Sequence, residues 1–234
     1  MIFAGVEWLT KGSYMSEKIS RESIIRSLLN SAFYKSAEGT SLSDIADSLG
    51  VKKASLYNHF GSRDDIMAKT VSSCENYLNE LSLIPSEIQS VAQKYPVATV
   101  FKGIVSRWIK LHEKNPLFQI YTFVESRKYF DQNAAEIVRK QNERLVAQTE
   151  IVLESLFSLN KISVKKEKIH PVAVWFCAGM NDIMSCHLLS RKRLVVENPE
   201  SGDGELFTLQ SDDEKIEKIN VLVEEFCNLI DAEN

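Results

Sequence analysis

The chain has 234 residues, 44% of them apolar, with a formal net charge of −4, enough for one large or two small hydrophobic cores. Its four cysteines (74, 177, 186 and 227) lie far apart with no CxxC pair, which excludes a zinc knuckle or disulfide framework and leaves them as small core fillers. No apolar run approaches the ~20 residues of a membrane span, and the start lacks a cationic region followed by an apolar block, so a cytoplasmic protein without a membrane partner is expected.

Mild acidity does not mark a nucleic-acid binder, but the charge is uneven. Residues 16–70 carry eight Lys or Arg against seven Asp or Glu, whereas residues 71–234 carry nineteen against twenty-four. A near-neutral amino-terminal unit on an acidic body leaves room for a local cationic surface.

Nearly every segment has helical period, with breaks marked by Gly, Pro, Asn or Ser, so the fold is read as all-α. Residues 1–15 fit no element. Lys11-Gly12-Ser13 can be encoded by a purine-rich run of the kind that precedes bacterial start codons, so either Met15 is the natural start or the segment is an amino-terminal arm. Ile24, Ile25, Leu28, Leu29, Ala32 and Phe33 stripe a first helix. A very short second one lies in SLSDIADSLG, where Ser41 and Asp44 have capping-box spacing and Gly50 supplies the stop. A third begins near Lys52, with Leu56 and Phe60 on one face and Lys53 and Tyr57 on another.

Ser62 and Asp65 cap a fourth helix running to about Leu81, and Ile84-Pro85-Ser86 ends a first small domain, residues 16–83. The remainder, 84–234, is a larger helical domain with breaks at Pro96 and Pro116. Long helices are expected from about Asp131 to Leu159, after Pro171, and from about Asp212 to Ile230. Between the last two, VVENPESGDGELFTLQ reads as a loop with room for a brief hairpin of Val195–Glu197 with Leu206–Leu209. No internal repeat is present.

Two short helices joined by a Gly-Val turn, SLSDIADSLGVKKASLYNHF, match the helix-turn-helix pattern. Leu42, Ile45, Ala46, Leu49, Val51, Leu56 and Phe60 would hold the pair together. Lys52 and Lys53 suit phosphates or a guanine edge, and Ser55 and Asn58 suit base edges. Tyr57 and His59 have donors for phosphate oxygens, with Ser41 and Arg63 gripping the backbone from neighbouring helix starts. Each has an alternative: Tyr57 half in the core, His59 packed under the fourth helix, Lys52 merely solvated.

The segment LSDIADSLGVKKASLYNHFGSRDDI resembles the DNA-binding segment of the TetR family of bacterial transcriptional regulators, over roughly Ser20–Thr70. The usual glycine-aromatic pair ending the first helix appears as Ser36-Ala37, and Lys52 stands where a Ser or Thr often caps the recognition helix. The resemblance implies a homodimeric regulator, most often a repressor, that binds a double-stranded operator and is released by a small effector.

A dimer is also called for by the few base pairs one reading head touches. Ile216, Ile219, Val223, Phe226 and Ile230 form a heptad-like seam, and Val172, Phe176, Gly179, Ile183 and His187 a facing one. These seams meet a second copy or this chain's own core. The middle helices are aromatic, and the resemblance implies a pocket among them, with Trp108, Phe118, Tyr121, Phe123 and Trp175 and polar His112 and Asn181 as the effector-binding candidates; at helical spacing an aromatic stripe is more often ordinary core. The alternative is a DNA-binding adaptor whose body docks a protein, for which the acidic segment Glu197–Glu205 is suited. No phosphate loop, nucleophile motif or metal-spaced cluster is seen, so neither catalysis, a metal nor a cofactor is expected.

Overall fold

The computed structural model of the protein describes residues 19–197 and 212–232. Among the described residues every regular element is helical, apart from a single bridge between Ile162 and Asp231. Helix α1 spans Arg21–Lys35, α2 Leu42–Ser48, α3 Lys53–Leu56 and α4 Arg63–Glu80. Then come α5, Ile88–Lys94, α6, Val97–His112, α7, Leu117–Arg127, and α8, Gln132–Ser158; after a 3-10 turn at Lys166–Lys168, α9 covers Ile169–Glu197 and α10 Asp213–Ile230.

Local chemistry sets these boundaries. Ser20, Ser41 and Ser62 cap α1, α2 and α4 by accepting the backbone N–H three residues on, and Asp212 does the same for α10, satisfying donors a helix start leaves open. Asp131 begins α8, its Oδ1 accepting from the backbone of Asn133 and Ala134. Gly50 ends the α2 turn at a φ of 63°, where a side chain would be strained. Pro171 falls inside the first turn of α9 rather than before it, a position whose N–H needs no partner. The hairpin expected at Val195–Glu197 is corrected: those residues are the last turn of α9, and Leu206–Leu209 lies outside the described residues, as do residues 1–15 and the acidic segment beyond Glu197.

The chain divides into two compact units, one running to Leu81 and taking in Asn115–Arg139, the other comprising Ser82–Lys114 and the chain from Lys140 onward. In the first, α1 packs on α2, α4 and α7. Helix α7 therefore lies with the amino-terminal helices rather than in the expected 84–234 body. Its buried Phe118 meets Phe33 edge-on at 5.0 Å between ring centroids, and Gln119 Nε2 donates to Asn30 Oδ1 at 3.1 Å.

In the second unit α10 and α5 pack on α6, and Phe101, Phe176 and Phe226 form one ring cluster with centroids 4.7–5.5 Å apart. Lys161 Nζ donates to the carbonyls of Ala92, Gln93 and Tyr95 and so closes the end of α5. A buried ionic cluster joins the end of α6 to α9. His187 Nε2 lies 2.7 Å and Arg191 Nη1 3.6 Å from Glu113 Oε1.

One stretch, Lys166–Glu197, is long and apolar enough to cross a membrane by length and composition, correcting the expectation that no run reaches that measure. Its alternating inner face, Ala173, Cys177, Met180, Met184 and Leu188, is buried in the fold. A core helix of a globular protein meets the same measure.

Candidate nucleic-acid interface

Residues 37–60 form a small assembly whose inner side is closed and whose outer side is polar. Ile45, Ala46, Leu56 and Phe60 are each at most 3% exposed. The Val51 N–H donates to the Ala46 carbonyl at 3.0 Å, folding α3 back on α2. The buried Ser27 hydroxyl of α1 donates to the Ile45 carbonyl at 3.2 Å and meets the Ser48 hydroxyl, which sets the distance between α1 and α2. Leu49 and Val51, expected in this core, are half-buried.

Ser41 and Asp44 make the expected capping box: Asp44 N–H to Ser41 Oγ at 3.1 Å and Ser41 N–H to Asp44 Oδ2 at 2.7 Å. Lys35 Nζ also reaches Asp44 Oδ1 at 2.5 Å. The Lys35 bond first, and those of Ser41 second, hold the Asp44 carboxyl down at about 2, so it stays charged at the positive end of α2.

Helix α3 has only four residues, starting at a Lys52 cap that makes no side-chain hydrogen bond. It is held chiefly by Leu56 and Phe60. On its outer side Lys52, Lys53, Ala54, Tyr57 and Asn58 are exposed, Tyr57 by 52%, while Ser55 and His59 are half-buried. No acid occurs between Lys52 and Phe60. The result is a short cationic and amide-bearing rod, chemically suited to phosphate oxygens and base edges. Ala54, on the same outer side, was missed by the sequence reading because its methyl group carries no polar signal.

Arg63 departs from expectation. Its Nη2 donates to the carbonyls of Ala37, Glu38 and Thr40 at 2.8–3.2 Å, and its Nε to Thr40 at 3.2 Å. This half-buried guanidinium therefore ties down the turn before α2 instead of standing free for a backbone phosphate. The same turn carries the Ser36-Ala37 departure: Ser36 has φ 70° and ψ 163°, a region populated almost only by glycine.

The other candidates are divided between the two units. Phe118 and Phe123 are core residues of the first, with Phe123 under the Arg127 guanidinium, and Tyr121 is half-buried there. In the second unit the structure brings together Trp108 and His112, both buried, 5.8 Å between ring centroids. His112 shares a 2.9 Å hydrogen bond with the Trp108 carbonyl, and burial pushes its pKa down to about 4 against the upward pull of that bond. Asn181 donates to Asn142 Oδ1 at 3.0 Å. Two effector assignments are corrected: Trp175 is 81% exposed on α9, and Phe118 is fully enclosed by its own core. Glu113 escaped sequence reasoning because in KLHEKNP it stands next to Lys114 and Asn115, the setting of a solvated carboxylate, and only the fold buries it against His187 and Arg191.

The dimer seam is corrected as well. Ile216, Ile219, Val223 and Ile230 are at most 6% exposed within the single chain, so they face this chain's own core, where α10 packs on α6. Phe176 and Phe226 stack on Phe101. Of the expected interface residues, Gly179 is exposed and Ile183 half-buried.

Among the described residues the fold is all-α, and its amino-terminal unit offers a helix-turn-helix with a cationic outer side, the arrangement that defines the helix-turn-helix class of DNA-reading modules. The family profile described as "Bacterial regulatory proteins, tetR family" matches residues 32–70. Over those residues the chain is similar to the DNA-binding segment of that family. Similar curated proteins are the "Biofilm operon icaADBC HTH-type negative transcriptional regulator IcaR" of Staphylococcus aureus (strain Newman), 39% identical over 64 residues, and that of Staphylococcus epidermidis (strain ATCC 35984), 36% identical over 63. Each match takes in 27% of this chain and 34% of the relative, so the likeness spans about a third of their length.

Among solved structures, a transcriptional regulator from Rhodococcus sp. Rha1 matches with a TM-score of 0.57 at 16% identity, over 91% of this chain and 98% of that one. A TetR-family regulator from Agrobacterium tumefaciens matches with 0.54 at 15%, over 90% and 97%. At such identities the likeness concerns the fold alone.

Proposed function

We propose that the protein is a homodimeric, non-enzymatic transcriptional repressor of the cytoplasm, reading a double-stranded operator with α3 and released from it by a small effector. One observation carries the DNA reading: α3 and the residues flanking it bury Leu56 and Phe60 and turn Lys52, Lys53, Tyr57 and Asn58 outward on a rod without an acid. Lys53→Ala is expected to weaken binding to fragments selected from the organism's own genome and to flatten its salt dependence. Gel-shift titrations with affinity and salt slope both unchanged would remove Lys53 from the interface. Repression is supported by the negative regulators that the reading segment resembles.

Dimerisation is supported by the outward faces of α9 and α10, not by the seam within. Trp175, Gly179, Cys186 and Leu189 recur at steps of three, four and seven on α9, with Trp175 81% and Leu189 71% exposed; on α10, Leu222 is 55% and Leu229 82% exposed. Apolar surface left so open is characteristic of an interface. Trp175→Glu should convert a sedimenting dimer to a folded monomer at micromolar concentration, and a wild-type chain that sediments only as monomer refutes the dimer.

An effector site is supported by buried aromatic and polar side chains of the second unit: Trp108, His112 and His187, whose Nδ1 is buried without a hydrogen bond. A ligand placed there releases DNA only by the ratio of its affinities for the two forms. The adaptor alternative rested on the acidic segment beyond Glu197, which lies outside the described residues.

A further inference from the structure

Arg21 is the first residue of α1, 38 positions before the end of the α3 region. Its Nε donates to the His59 carbonyl at 3.0 Å, and its guanidinium carbon stands 5.5 Å from the centroid of the Phe60 ring. The carbonyl belongs to the turn that follows α3, three residues past its last helical residue. The ring is 3% exposed and anchors α3 to the core. One side chain thus holds both a carbonyl and the anchoring ring of the turn that follows α3, fixing how the rod projects from the unit.

The charge of that side chain is left over. Its partner is an uncharged carbonyl, and among the described residues its two η nitrogens make no hydrogen bond or ion pair. Other cations of this unit differ: Lys35 is paired with Asp44, Arg127 with Glu38 and Asp131, and Arg63 is spent on three carbonyls. Arg21 is exposed. A guanidinium pinned through Nε presents its η edge in a fixed direction, a geometry matched to two oxygens of a phosphate. When a rod of this length lies in a major groove, the residues flanking its ends face the sugar-phosphate strands.

We propose that Arg21 is a DNA-phosphate contact that also positions the recognition helix, replacing Arg63 in the role that the sequence suggested for it. This rests on the DNA-binding reading of α3, and the test separates the two. The full chain is titrated against a 30-base-pair duplex of mixed sequence between 50 and 200 mM KCl, because a phosphate contact is independent of base sequence. Each lost phosphate contact flattens the plot of log affinity against log salt by about 0.9, so over this range wild type should lose about 3.5-fold more affinity than Arg21→Gln for each reading head engaged. Arg21→Lys, which keeps the charge, should retain the wild-type slope.

A purely structural role would lower the melting temperature and shift affinity equally at every salt concentration. Parallel slopes for wild type and Arg21→Gln therefore overturn the phosphate contact, as does an Arg21→Lys slope equal to that of Arg21→Gln. If wild type itself fails to bind the duplex at 50 mM KCl, the reading of α3 falls as well. Should Arg21→Gln not fold, phenylglyoxal modification of the wild-type protein decides: Arg21 protected by duplex supports the contact, and Arg21 modified equally with and without duplex overturns it.

Discussion

His112 ties the stability of the second unit to pH. Its imidazole is 7% exposed at the end of α6, hydrogen-bonded to the Trp108 carbonyl, with its pKa held at about 4 by burial against 6.5 in an open chain. Above pH 6.5 both folded and unfolded states carry it neutral, and its contribution is fully retained. As pH falls from 6.5 toward 4 the unfolded chain takes up a proton that the folded one refuses, and stability is lost. Two and a half units at about 1.4 kcal/mol each set the ceiling, giving a loss of roughly 2 kcal/mol at pH 5 and about 3 kcal/mol at pH 4.

His112→Gln keeps a donor for the Trp108 carbonyl and does not titrate. Urea denaturation of both proteins, followed by circular dichroism at one chain concentration and several pH values, isolates the histidine because the remaining groups are common to the pair. The free-energy difference between them should be level above pH 7 and move by about 2 kcal/mol against wild type by pH 5. A difference that stays level from pH 7.5 to pH 5 would refute the buried, neutral imidazole.

Three further outcomes concern the turn before α2. Ser36→Gly should raise the unfolding free energy by about 1 kcal/mol, the relief of a glycine-type backbone conformation exceeding the loss of the Ser36 Oγ bond to the Gly39 N–H; Gly39→Ala should lower it, since an added Cβ would stand 2.2 Å from the Lys35 carbonyl oxygen. Both are read by urea denaturation. Arg63→Gln should lower the melting temperature, through the loss of its bonds to Ala37, Glu38 and Thr40, yet leave the salt slope of duplex binding as in wild type. A flattened slope would return Arg63 to the DNA.

The reading head was legible because its signals are local. A capping serine, a glycine that must take positive φ, and two apolar residues four apart act within one turn of chain, and residues 41–60 fold as those signals require. Helix limits at Ser62, Asp131 and Asp212 were legible for the same reason. A helix before Pro96 was expected but the limits of α5 were not, since it has seven residues and buries only Ile88 and Ala92.

What lay beyond the sequence were partnerships between distant residues. Periodicity identified the stripe of Ile216, Ile219, Val223 and Ile230 as buried but was silent on whether a second chain or α6 covers it, because both bury the same area. Only the packing of α10 on α6 decided that, and so moved the open face to Leu222 and Leu229. Arg63 and Arg21 are equally cationic in one dimension. Which of them faces solvent depends on where three carbonyls of the turn before α2 come to rest, and that is determined by the tertiary fold.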